Sequence, residues 1–81
     1  MRKYEVNAYF TKTETSMRTD DFETAVKEFM DYVADDLTCD MVDCTTGEVL
    51  AIANNADHAD YLTSAVAVKI LEILMIEAWG V

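Results

Sequence analysis

The chain has 81 residues, 52% of them hydrophobic, with 16 acidic against 6 basic side chains and a net charge of −10. That length holds one domain, and a chain so short buries only about 60% of its unfolded surface, so its core is small. The charge excludes direct binding of DNA, RNA or anionic lipid, which requires clustered Lys and Arg. The apolar content in turn excludes a disordered polyanion.

Charge is unevenly placed. Residues 1–19 carry four basic and two acidic groups, whereas residues 20–60 carry twelve acidic groups against Lys27 alone. Residues 3–11 alternate: Tyr4, Val6, Ala8 and Phe10 fall on one side, and Lys3, Glu5, Asn7, Tyr9 and Thr11 on the other. Period two with aromatic and β-branched residues predicts a half-buried strand. A polar, Thr-rich stretch follows, read as a continuation of that strand passing into loop.

Thr19 or Asp20 is the expected cap of a helix over about 21–36, with acidic residues in the first turn complementing the dipole. Phe22, Val26, Phe29 and Val33 form its buried stripe, flanked by Ala25, Met30 and Leu37. Asp21, Glu28, Asp31 and Asp35 lie opposite, within roughly 80° of one another at about 100° per residue.

Cys39–Cys44 and Glu48–Asn54 bracket Thr45-Thr46-Gly47, which predicts a hairpin with Gly47 at a positive φ. With Cys44 opposite Glu48, Val42 faces Leu50, and Met41, Val49 and Ala51 take the other side. Asn54–Asp57 has turn and cap chemistry and leads into a last helix over Tyr61–Trp79. The predicted order is therefore β-α-β-β-α. It makes an α+β two-layer sandwich in which two helices cover one face of a three-stranded antiparallel sheet of order 1-3-2.

The last helix is the most informative element. Val66, Ala67, Ile70, Leu71, Ile73 and Leu74 form an arc suited to the sheet. Tyr61, Leu62, Val68, Ile76 and Trp79 surround Lys69 and Glu72 on the other side. A helix apolar all round must be covered all round. The surplus arc predicts an oligomer interface, most simply that of a twofold homodimer.

Chemistry-bearing candidates are few, and no cofactor is implied. Cys39, Cys44 and His58 suggest a metal- or thiol-dependent enzyme, but C-x4-C with one His is not a zinc-ligand spacing. Acidic neighbours also disfavour a thiolate. Two cysteines do not make a disulfide scaffold, and residues 1–10 lack the apolar core of a signal peptide. The apolar run 65–76 is shorter than the ~20 residues of a membrane span. A soluble, cytoplasmic protein is expected.

These features predict a non-catalytic interaction domain. It dimerises through the last helix and presents Asp21, Glu28, Asp31 and Asp35 to a basic surface, including the nucleic-acid-binding groove of another protein. In size and charge alone the chain resembles small inhibitors carried by phages and mobile elements, anti-CRISPR proteins among them. A structural subunit of a larger assembly is the remaining alternative.

Overall fold

Phe29, with 1% of its surface accessible, lies at the centre of a core made by one helix and the sheet it crosses. The computed structural model describes residues 2–9, 15–54 and 60–79. Its elements are β1 (Tyr4–Tyr9), β2 (Thr15–Thr19), α1 (Phe22–Ala34), β3 (Thr38–Asp43), β4 (Val49–Ala53), β5 (Tyr61–Leu62) and α2 (Ser64–Ala78). They form one antiparallel five-stranded sheet of order β2-β1-β3-β4-β5.

The α+β class holds, but the three-stranded sheet of order 1-3-2 does not. The cause is chain direction. If a helix followed the first strand directly, strand 38–43 would run parallel to it, and antiparallel pairing would force strand 49–53 between them. Thr15–Thr19 instead returns as a strand, with Val6 opposite Met17 and Tyr4 opposite Thr19. That extra reversal lets β3 pair directly with the other edge of β1, Val6 meeting Met41 and Ala8 meeting Cys39. Polarity concealed β2. It is an edge strand that turns only one face to the core, and its Arg18 pairs with Glu5 at 2.9 Å on the other.

The hairpin register also differs. The Asp43 amide donates to the Glu48 carbonyl, Val42 faces Val49, and Met41 faces Ala51, so Leu50 is the extra residue of a bulge. Met41 and Ala51, both wholly buried, keep the expected pairing and lie under the helices together with Cys39 and Ala53. Leu50 joins the same core through the bulge. Gly47 has φ +77°, as its place in the turn predicts.

α1 begins one residue later than the expected cap. Asp21 is the N-cap, its carboxylate accepting from the Thr24 amide and hydroxyl, while Asp20 accepts from Arg2 and the Lys3 amide. Ala25, Val26, Phe29 and Tyr32 are its buried residues, so Tyr32 replaces part of the predicted stripe. At the far end Asp36 adopts φ +58°. The Asp36 amide donates to the Val33 carbonyl and the Leu37 amide to that of Tyr32, a Schellman closure built without glycine.

Tyr61 and Leu62 open not the last helix but a two-residue edge strand. The Thr63 amide and hydroxyl both donate to the Leu50 carbonyl, at 3.0 and 2.9 Å, so the N-cap residue of α2 is spent on holding the helix to β4. The cap chemistry expected at residues 55–57 lies outside the described residues. No helix among the described residues is long and apolar enough to cross a membrane.

The left-handed conformation costs a non-glycine residue about 1–2 kcal/mol, and glycine returns roughly 0.5–1 kcal/mol of that as unfolded-state entropy. Asp36→Gly is therefore expected to stabilise the fold by about 0.5–1 kcal/mol in urea unfolding, with an unchanged m-value.

Candidate interaction surfaces

α2 touches its own fold along a narrow line. Only Val66 and Ile73 are buried, with Ile70 packed beside them. Leu71 and Leu74, predicted to face the sheet, are 61% and 46% exposed. The sheet is already roofed by α1, so α2 leans on α1 and on the β4–β5 edge and leaves most of its circumference outside.

Val68, Leu71, Met75 and Trp79 fall within about 80° of one another on the helix and span about 16 Å along it. All four are more than half exposed, Trp79 at 80%. With Leu74 on one flank and Ile76 on the other, they leave a mainly apolar surface along the length of the helix. The predicted interface residues do not all meet. Val68 and Trp79 share this stripe. Leu62 lies on one flank, in an apolar groove of about 400 Å³ lined also by Phe29, Met30, Val33, Ile70 and Leu74. Ile76 lies on the other flank, near Glu23 and Lys27. Tyr61 pairs with Ile52 on the helix-free side of the sheet. The sequence reading missed Met75 and assigned Leu71 and Leu74 to the core; the fact that the apolar residues of 65–76 cannot all face one thin layer was the available signal.

The four predicted docking carboxylates are spread along α1 rather than clustered. Asp21 is committed to the N-cap, and its hydrogen bonds from the Thr24 hydroxyl and amide hold its pKa below the ordinary carboxylate value. Asp35 is the C-cap, about 20 Å away along the axis. Glu28 is half-buried and Asp31 exposed, one turn apart. Lys27 shares the exposed side and sits 3.6 Å from Glu23.

Cys39 is 1% exposed under the helices, and burial, with the charge of Asp40, pushes its thiol up to about 11. The Sγ of Cys44 lies 4.0 Å from Glu5 Oε2, so the two free cysteines do not meet. His58 lies outside the described residues. Among the described residues no group of three or more His, Cys, Asp or Glu side chains is arranged to hold a metal ion.

The helix-free side of the sheet holds one feature that alternation alone did not single out. Asp40, half-buried in the central strand, accepts from Asn7 Nδ2 at 3.0 Å and from the Tyr9 hydroxyl at 2.7 Å. The hydrogen bond to Asp40, then burial and the nearby carboxylates, push the Tyr9 phenol up to about 12. Comparison with protein-family models, with curated proteins and with solved structures gives no match.

Tyr9 has a folded-state pKa above its unfolded value, so the stability it contributes is complete below about pH 10 and is lost as pH rises towards 12. Ultraviolet titration is expected to show Tyr9 ionising near pH 12, with Tyr32 also displaced upward by its burial. Asp40→Asn is expected to return it towards its ordinary value, and Tyr9→Phe to delete that phase.

Proposed function

We propose that the protein is a non-catalytic interaction domain that pairs with a second copy of itself through α2 and turns its acidic surface, including Glu28 and Asp31 of α1, towards a basic protein partner. The observation that carries this reading is the exposed stripe Val68, Leu71, Met75 and Trp79. Burying about 400 Å² of it on each of two chains, about 800 Å² together, contributes on the order of 20 kcal/mol at ~25 cal/mol per Å², against association costs of roughly 4–15 kcal/mol.

Two further features favour a second copy as the occupant. The stripe is self-complementary in an antiparallel arrangement: setting Leu71 level with Met75 of the second copy also sets Val68 level, within one residue, with its Trp79. The largest side chain then meets a small one across a twofold axis. Charge points the same way. Residues 61–81 carry a net charge of only −1 in a chain of −10, so α2 is where two such chains approach with least repulsion.

Sedimentation at micromolar concentration is expected to give twice the 9.1 kDa chain mass. Leu71→Glu with Met75→Glu alters only exposed positions and should weaken pairing roughly a hundredfold or more while leaving the helical signal unchanged. Added salt should tighten the dimer by screening the two −10 charges, the reverse of an association held by ion pairs. A 9.1 kDa monomer at every concentration and salt level would refute the reading.

A further inference from the structure

We propose that the helix-free face of the sheet is a recognition surface for a basic segment of a partner protein, with Asp40 receiving one guanidinium or ammonium group. This rests on the basic-partner part of the reading above and is independent of dimerisation. Three observations carry it.

Aspartate is depleted in strands, yet Asp40 occupies β3, the middle strand of five. Natural sequences break such local rules chiefly at functional sites. Its carboxylate is also oriented in advance. Of about four acceptor positions on the two oxygens, Asn7 fills one on Oδ1 and Tyr9 one on Oδ2, leaving capacity for a bidentate cation. Glu5, on the same face, is already paired with Arg18, whereas among the described residues no Lys or Arg lies within ion-pair distance of Asp40.

The surroundings suit a cation with an aliphatic stem. Strand registers set Asn7, Asp40, Ile52 and Tyr61 in one row across the sheet, about 4.8 Å apart. Half-buried Ile52 offers an apolar floor beside the carboxylate. Tyr9 and Tyr61, 43% and 47% exposed, supply aromatic faces for a guanidinium. Both helices pack on the opposite face, so nothing among the described residues roofs this row.

The test is a ¹⁵N-edited NMR titration with an end-blocked hexapeptide of alternating arginine and glycine at constant ionic strength. Amide shifts are expected to centre on Asn7, Tyr9, Asp40, Ile52 and Tyr61. Asp40→Asn keeps an acceptor oxygen for Asn7 and offers its amide NH2 to the Tyr9 hydroxyl oxygen in reversed direction, and should weaken binding at least tenfold; Tyr61→Ala, at an exposed position, should weaken it about threefold. Bound peptide should also make Tyr9 ionise at lower pH, because a cation beside Asp40 offsets the charge that opposes phenolate formation. Glu28→Lys with Asp31→Lys separates the two surfaces: affinity within twofold of the native chain supports the sheet site. Shifts that follow α1 and vanish with that double change would overturn it while leaving the basic-partner reading intact. Equal peptide affinity of Asp40→Asn, Tyr61→Ala and the native chain would overturn it as well. An absence of shifts anywhere would overturn both.

Discussion

The antiparallel pairing of β1 with β3 is the contact from which the rest of the molecule follows. It sets Val6 beside Met41 and Ala8 beside Cys39 on the side that α1 covers. The same ladder sets Asn7 beside Asp40 on the side that no described helix covers. One register therefore builds both the core and the polar row on its reverse, because directly opposite residues share a face and successive ones alternate. A slip of one residue would bury Asp40 beneath Phe29 and expose Met41. The pairing exists only because β2 reverses the chain before α1, so a polar edge strand with little core of its own decides the topology.

With the sheet roofed by α1, α2 has little left to cover. It is anchored at its start, where Thr63 grips the Leu50 carbonyl, and along Val66, Ile70 and Ile73. Beyond that line its side chains are as apolar outside as inside. A surface helix normally turns charge towards water, whereas α2 shows Leu71, Met75 and Trp79. The charge on the rest of the chain makes indiscriminate association costly. Self-repulsion and an apolar stripe together favour one specific contact over many weak ones.

Much of this was legible in the residues. The alternation of 3–11 and the 3/4 spacing within 21–36 gave β1 and α1, with ends a residue or two too long, and Gly47 gave the hairpin turn. The surplus apolarity of 61–79 gave an exposed helix face. What escaped had physical causes. Thr15–Thr19 looks like loop because an edge strand needs few apolar residues, and missing it inverted the direction of everything after α1. The bulge at Leu50 put that residue on the same buried side as Met41 and Ala51, a change of parity within one strand that no periodicity records. Leu71 and Leu74 were assigned to the core because a wheel shows which residues are apolar, not how wide a neighbour is. Asp40 drew no notice among sixteen acidic residues until the sheet order placed it in the central strand between Asn7 and Ile52.

Trp79 is the only tryptophan in the chain and lies on the stripe, so its emission reports on the surface where the second copy is proposed to sit. The most direct test is the emission maximum of the native protein across a dilution series, read with acrylamide quenching. Pairing through α2 gives a blue-shifted, quencher-protected indole at high concentration that moves to the red and becomes accessible as the chains separate. A fully accessible, red-emitting Trp79 at every concentration would contradict it.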